Sequence, residues 1–305
     1  MKGLVTKSMG LWYAIEAQGT VYSARLRGKF KLDDKKLTNP IAVGDWVEIE
    51  ANEHVENEWV ITQILPRENY VLRQSPRKKG HHHLIASNVD QGVLIVTLKM
   101  PRTSVGFIDR FLISLEAFRI AGVIIFNKAD LYGEREFTKV QELTQIYESI
   151  GYTVMVTSFI ENKLDENVAS ILKGKTSMLS GHSGAGKSTL INGLLPEVKQ
   201  EVKEISTFAN KGVHTTTFAE LFYLDKDSKI IDTPGIKELG LAEIHEEELS
   251  HYFPEMRNYL GKCKFHNCLH DNEPGCAVKK QLGKDVSEVR YASYLSILRN
   301  EDNRK

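Results

Sequence analysis

The sequence contains no apolar run of about 18 residues or more, and its start, Met1 to Lys7, lacks the apolar core of a signal peptide. Neither a membrane span nor export is expected, and a cytoplasmic location is. Net charge is also missing, because 40 Lys and Arg balance 40 Asp and Glu. Contact with nucleic acid must then come from local basic patches, since the chain supplies no overall positive field. Cysteine is scarce. The only three in 305 residues, Cys263, Cys268 and Cys276, fall close together near the end. Such a cluster in a chain of this class argues for a metal site and against a disulfide framework. No internal repeat or low-complexity tract is present.

What is there begins with Gly181-His182-Ser183-Gly184-Ala185-Gly186-Lys187-Ser188, which fits the phosphate-binding pattern G-x-x-x-x-G-K-[ST] at every fixed position. Residues 176–180 before it can form a short buried strand, and Leu190, Ile191, Leu194 and Leu195 after it share one helical face. Gly181 and Gly186 let the backbone approach a nucleotide without a Cβ, so that amides from Gly181 through Thr189 and the helix N-terminus face its phosphates. Lys187 would reach the β- and γ-phosphates, and the Ser188 hydroxyl would ligate Mg²⁺.

Residues 1 to about 72 read as short strands, at 11–16, 20–25, 45–50 and 58–65, separated by turn signals such as Gln18-Gly19 and Asn39-Pro40. This predicts a small OB-type β-barrel. Arg25, Arg27, Lys29 and Lys31 are candidates for an oligonucleotide-binding face, with a charge-protected edge strand as the alternative. The stretch 67–83 carries Arg67, Arg73, Arg77, Lys78 and Lys79 against the single acid Glu68. It reads either as a contact to RNA phosphates or as a solvated linker. His81, His82 and His83 are given no metal role, because adjacent side chains rarely converge on one ion.

From residue 89 the pattern changes to strands at 91–97, 122–126 and 152–156 alternating with helices at 108–118, 137–150 and 164–172. That alternation predicts a mostly parallel sheet covered on both faces. The strand ending at Phe126 runs into Asn127-Lys128-Ala129-Asp130. An Asp130 carboxylate can accept from N1–H and the 2-amino group of guanine, which adenine cannot offer; Asn127 would bind the far edge and the Lys128 stem would pack on the ring. Four such residues alone are as well read as an ordinary strand-to-helix turn. Paired with the phosphate loop they point to guanine.

Downstream, Lys229-Ile-Ile-Asp232-Thr-Pro-Gly235 is a strand ending in D-x-P-G. Asp232 can hold Mg²⁺ through water, and the Gly235 amide is placed to sense a γ-phosphate. Between the two motifs, residues 199–217 are polar and end in Gly212-Val-His-Thr-Thr-Thr217, where Thr216 would join the Mg²⁺ shell. A solvated loop at 199–211 and a strand start at 215–217 are the plain alternatives.

In ordinary GTPases the phosphate loop comes first, yet here N-K-x-D precedes it, so the same sheet has been cut and rejoined elsewhere. The chain resembles the circularly permuted GTPases, most closely the ribosome small-subunit-dependent GTPase A family, also called YjeQ or YloQ. The resemblance covers essentially the whole chain, including Ala86 to Gln91, Gly212 to Thr217 and the cysteines. It implies an OB domain at 1–72, a permuted GTPase domain at 73–240 and a mostly helical zinc domain at 241–305. It further implies hydrolysis of GTP to GDP and phosphate, stimulated by the 30S subunit in its late maturation, by a monomer that contacts 16S rRNA and no membrane. Two departures stand out. Ile236 follows Gly235 where a glutamine would orient water in Ras-like enzymes, and His214 is the candidate for that task, beside Lys187 and Thr216 as catalytic residues. Thr157-Ser158-Phe159 replaces the usual Ser-Ala pair of the base-supporting loop, leaving Ser158 to serve through its backbone.

Cys263, Cys268, His270 and Cys276 offer three thiolates and an imidazole, a set suited to closed tetrahedral zinc. His266 is the rival fourth ligand; the family resemblance favours His270. Some 60 terminal residues bury little surface, and a structural zinc contributing about 10 kcal/mol or more would fold them. A helix over 286–298 would pack through Tyr291, Tyr294, Leu295 and Leu298. Its neighbours Lys279, Lys280, Lys284, Arg290 and Arg299 are candidates for rRNA contact, or a solvated face. Two other readings compete: a phosphotransferase or ATPase, separable by ATP competition, and an RNA-binding scaffold with a vestigial nucleotide site, which would bind subunits equally in every nucleotide state.

Overall fold

The computed structural model describes residues 1–27, 37–52, 55, 58–74, 81–159, 166–195, 219–233 and 244–301. Five strands, β1 (Lys2–Met9), β2 (Trp12–Ala17), β3 (Thr20–Leu26), β4 (Trp46–Ala51) and β5 (Trp59–Ile64), form the N-terminal unit. Its pairing runs β1-β2-β3-β5-β4 and closes through a β1–β4 ladder, so the sheet has become a barrel. Alternation drives it. Tyr13, Ile15, Ala24, Val47, Ile49 and Ile61 are buried in the barrel core, while alternate positions such as Glu16, Arg25, Glu48, Glu50 and Thr62 are more exposed.

The central sheet has the spatial order β10-β9-β8-β11-β13-β12, comprising β8 (Gln91–Val96), β9 (Ala121–Phe126), β10 (Thr153–Val156), β11 (Thr176–Ser180), β12 (Glu220–Tyr223) and β13 (Lys229–Asp232). All neighbours are parallel except β12 on β13. The phosphate-loop strand β11 sits between β8 and β13, although β8, β9 and β10 precede it in the chain. That is the predicted permutation. Helix α1 (Val105–Ala117) covers one face, starting where the Ser104 hydroxyl accepts from the Phe107 amide. Phe107, Ile108, Phe111, Leu112 and Leu115 pack on the sheet, and Ile113 turns to the C-terminal core. Helix α2 (Glu134–Ser149) lies on the same side, and α3 (Glu166–Leu172) and α4 (Lys187–Leu194) supply Val168, Leu172, Leu190 and Ile191 to the other.

The barrel and the central sheet are continuous. β1 pairs antiparallel with β12 at Lys7↔Glu220, and the two side chains form an ion pair of 2.9 Å. The sequence reading missed β1 and β12. It also read 67–83 as an RNA contact or a solvated linker and missed two strands there, β6 (Tyr70–Gln74) and β7 (His82–Ser87), which form a two-stranded antiparallel sheet. Arg67 does not face solvent as an RNA contact: its guanidinium holds both oxygens of the buried Asp45 at 2.7 Å and the Pro40 carbonyl.

The C-terminal unit contains two helices, α5 (Pro254–Arg257) and α6 (Glu288–Leu298), with short 3₁₀ segments. Its core joins Leu249, Phe253, Met256, Val278, Tyr294 and Leu298, with Tyr291 and Leu295 against it. Arg290 is a correction to the expected basic face. It is fully buried, paired with Asp109 of α1 and Glu255 of α5, and stacked over Phe253. Arg299 binds Asp271 at 2.6 Å and the Lys279 amine donates to the Asp271 carbonyl. Among the described residues no helix is long and apolar enough to cross a membrane.

Candidate functional site

The loop after β11 is shaped by backbone that other residues could not supply. Gly181 has φ of 143° and a Cβ there would sit 2.3 Å from the Ile95 carbonyl oxygen; Gly186 has φ of 115° and its Cβ would meet the Asn127 Nδ2 at 2.2 Å. Both positions therefore require glycine. Ala185 is buried, while Ser183, Gly184, Ser188 and Thr189 are exposed along the loop and first turn of α4. Lys187 folds back, its ammonium donating to the Gly181 carbonyl at 2.6 Å and the His182 carbonyl at 3.2 Å. Burial lowers its pKa, opposed by the Asp232 carboxylate. The His182 ring lies against Phe107 of α1, with centroids 4.1 Å apart.

Asn127 connects three segments. Its Nδ2 donates to the Ala185 carbonyl at 2.7 Å and its Oδ1 accepts from the Phe159 amide at 2.8 Å, with the side chain buried. The residue read as a base contact thus also ties the N-K-x-D turn to the phosphate loop and to the loop after β10. Its second Nδ2 hydrogen is left for a ligand acceptor. Asp130 stands exposed, and the Ser158 hydroxyl donates to its Oδ1, a side-chain bond beyond the backbone role expected of Ser158. Lys128 adopts φ of 63° and anchors its amine on the Met100 carbonyl at 2.7 Å. Tyr132 closes the turn by donating to the Asn127 carbonyl at 2.6 Å.

Across the loop, β13 brings Asp232 to the same end of the sheet. Its Oδ1 is buried and has no hydrogen-bond partner among the described residues, and burial raises its pKa against the opposing charge of Lys187. Thr233 beside it donates to the Leu179 carbonyl at 2.6 Å. A buried, unpartnered carboxylate oxygen at a phosphate loop costs free energy unless a ligand meets it. The donor set therefore fits a hydrated divalent cation with a nucleotide. His214, Thr216 and Gly235 lie outside the described residues.

The second centre is the metal cluster. Cys263 Sγ, Cys268 Sγ, His270 Nδ1 and Cys276 Sγ all lie within 4.8 Å of one another. The His270 nitrogen is 3.4 to 3.6 Å from the three sulfurs, and Cys263 lies 4.0 Å from Cys276. Four N and S donors around tetrahedral zinc stand about 3.5–3.8 Å apart. His266 is exposed and takes no part in the cluster. Without a cation, burial pushes the Cys268 thiol up to about 12. The amides of Ala277 and Lys279 donate to the Cys263 and Cys276 sulfurs, as thiolates require. From α6, Tyr291 and Tyr294 donate to the carbonyls of His270 and Leu269, and Glu273 accepts from the amides of Leu269 and Asp271. One metal ion fits; the closed donor set leaves it no catalytic position.

Residues 64–242 match the RsgA GTPase family and residues 2–57 the RsgA N-terminal domain. The chain is 53% identical over its full length, and that of the relative, to the small ribosomal subunit biogenesis GTPase RsgA of Cytophaga hutchinsonii. It is 45% identical to RsgA 2 of Bacteroides thetaiotaomicron, covering all of this chain and 98% of that one. Among solved structures, YjeQ from Thermotoga maritima superimposes with a TM-score of 0.75 at 34% identity, covering 100% of this chain and 99% of that one. YloQ, described as a circularly permuted GTPase, gives 0.70 at 30% identity, covering 100% and 96%. The sequence, the strand order and the relatives agree: the chain belongs to the RsgA family of circularly permuted GTPases, and it is a GTP hydrolase.

Proposed function

We propose that the chain binds the small (30S) ribosomal subunit late in its maturation, contacts 16S rRNA, and hydrolyses GTP with stimulation by the subunit. The observation that carries the nucleotide part is Asn127, which clamps the guanine turn to the phosphate loop that holds Lys187. The subunit enters from the relatives, which are named for small ribosomal subunit biogenesis. In this reading the protein works in the cytoplasm as a monomer, with units at 1–72, 73–240 and 241–305.

Asp130, oriented by Ser158, accepts from guanine N1–H and the 2-amino group, and Asn127 offers its remaining N–H to the opposite edge. Amides from Gly181 to Thr189 surround the β- and γ-phosphates. Lys187 leaves the carbonyls of Gly181 and His182 to meet phosphate oxygens, where its charge opposes that developing on the transferring group. Ser188, Thr216 and, through water, Asp232 would hold Mg²⁺, which would supply positive charge to the phosphates. Gly235 senses the γ-phosphate, and His214 orients water in place of the glutamine that Ile236 displaces. Cys263, Cys268, His270 and Cys276 would hold zinc, which would cross-link the segments of the C-terminal unit.

Co-sedimentation with 30S, 50S and 70S particles, in GDP, GTP analogue and no nucleotide, together with GTP turnover, tests the reading. Slow turnover alone, selective 30S binding with the GTP analogue and strong stimulation by 30S are expected. Equal turnover with and without subunits would reject the coupling.

A further inference from the structure

The turn that follows β9 leaves regular backbone at Lys128, which sits in the left-handed region at φ of 63° and ψ of 38° and opens a single 3₁₀ turn, Ala129–Leu131. A side chain disfavours that conformation, so the turn keeps its shape where its surroundings impose it. Strand ends hold its first half. The Asn127 amide donates to the Val96 carbonyl at 2.8 Å, and the Ala129 amide to the Thr157 carbonyl at 3.1 Å. Asp130 is exposed and lies beyond both bonds, so the place of its carboxylate depends on how the second half is held.

Three successive residues of the β8–α1 loop hold that half. The Leu98 amide donates to the Tyr132 hydroxyl at 3.2 Å, the Lys99 amine to the Leu131 carbonyl at 3.2 Å, and the Met100 carbonyl accepts from the Lys128 amine at 2.7 Å. The loop is a firm anchor because buried Thr97 and Thr103 close it: the Thr103 amide donates to the Thr97 carbonyl at 2.8 Å, and the Thr97 hydroxyl donates to the Pro101 carbonyl. Lys99 and Lys128 reach across on long, flexible stems. Tyr132 is instead a ring 7% exposed, set edge-on to Phe137 with centroids 5.9 Å apart. Its hydroxyl uses both of its capacities, accepting from Leu98 and donating to the Asn127 carbonyl at 2.6 Å. Asn127 and Tyr132 bracket residues 128–131, so one buried oxygen closes the turn on itself and ties it to the end of β8.

We infer that Tyr132 is a positioning residue for guanine recognition, its hydroxyl holding Asp130 where the carboxylate meets N1–H and the 2-amino group of the base; this rests on the base-reading roles proposed above for Asn127 and Asp130. Without the hydroxyl the turn spends part of its time in other arrangements, and the apparent affinity for a guanine nucleotide falls with the fraction that remains competent. Among the described residues Tyr132 makes no bond to the phosphate loop. The grip on the phosphates is therefore independent of it.

The test compares full-length, zinc-loaded wild type with Tyr132→Phe, which keeps the ring and removes one oxygen. Each is titrated with GDP, inosine diphosphate and inorganic triphosphate in the presence of Mg²⁺, below the temperature at which either protein begins to unfold. In the variant GDP affinity should fall about five- to tenfold, the worth of one net hydrogen bond. Its preference for GDP over inosine diphosphate, which lacks the 2-amino group, should shrink, and triphosphate affinity should stay at the wild-type value. The KM for GTP should rise by the same factor at constant kcat. An equal fall for all three ligands would assign Tyr132 to the fold in general and overturn the inference, as would an unchanged GDP affinity. Equal binding of GDP and inosine diphosphate by the wild type would remove the guanine reading of Asp130 itself, and the positioning role with it.

Discussion

Arg290 on α6 and Asp109 on α1 meet at 2.5 Å with both side chains essentially inaccessible to water, although 181 positions separate them in the chain. The same guanidinium grips Glu255 with two bonds, of 2.6 and 3.1 Å, and Tyr147 of α2 donates to Asp109. One cation thus holds two buried carboxylates, one from the GTPase unit and one from the C-terminal unit. Arg290→Ala leaves both uncompensated and should destabilise the zinc-loaded protein by about 3–5 kcal/mol. The urea midpoint reads the loss. Arg290→Lys should not restore it, because an ammonium cannot replace the fork.

In the proposed function Asp130 offers two acceptors to a guanine edge. Asp130→Asn replaces one of them with a donor, which suits the 2-oxo group of xanthine. Affinity for GTP should fall by about tenfold or more, as expected for lost bonds to a charged group at about 1.5–3 kcal/mol each. Affinity for xanthosine nucleotides should rise. Competition binding against both nucleotides checks it, and an unchanged preference would remove Asp130 from the base site.

Asn127 is bonded to the phosphate loop, in addition to the base contact proposed for it. Asn127→Ala strips the Ala185 carbonyl and Phe159 amide of their partner and should cost about 1–3 kcal/mol of stability. It should weaken binding of GDP, GTP and even a guanine-free triphosphate. Gly186→Ala should reproduce the binding defect, since its Cβ would occupy the space of the Asn127 amide. Titrations with each ligand separate this from a purely base-reading role.

The C-terminal unit should depend on its metal. Wild-type protein should carry one zinc per chain by elemental analysis, and His266→Ala should keep it. Cys276→Ser and His270→Ala should lose it, with a lower thermal midpoint and exposure of the core around Phe253 and Tyr294. A strong chelator should do the same to the wild type.

His182 should report on pH in the nucleotide-free protein. Burial first, and the Lys187 charge second, lower its pKa below the ordinary 6.5. The unfolded chain therefore takes a proton before the native one does as pH falls. The stability contributed by neutral His182 is complete above about 6.5 and is lost as pH drops through the lower native value. His182→Phe keeps a ring against Phe107 without the titration. Between pH 7.5 and 5, its thermal midpoint should fall less than that of the wild type.

Most of the elements could be read because their signals are local. The metal ligands fall within one short stretch, and the phosphate loop, the guanine turn and the β13 motif each occupy a few consecutive residues. Strands β8 and β9 announce themselves through the apolar runs Val93–Val96 and Val123–Phe126, since both faces of the central sheet are covered. The failures share a cause. β1 hides its alternation because Leu4 and Val5 are both buried, and β12 is four residues long. The hairpin β6–β7 brackets the Pro and Gly that suggested a linker. Arg67 and Arg290 look like surface cations until distant partners are brought to them, Asp45 by barrel closure and Asp109 by docking of α6. The clamp made by Asn127 spans 58 positions, a distance at which no spacing rule operates.

The seam between β1 and β12 gives the molecule a transverse strut. Lys7 stands opposite Glu220, Glu220 opposite Asp232, and Asp232 opposite Leu179 of the phosphate-loop strand. A single crosswise row of backbone thus ties the barrel wall to Asp232 at the phosphate-loop end of the sheet. Asp232 therefore lies only two strand pairings from β1, and the barrel and the phosphate-loop strand share one hydrogen-bonded fabric.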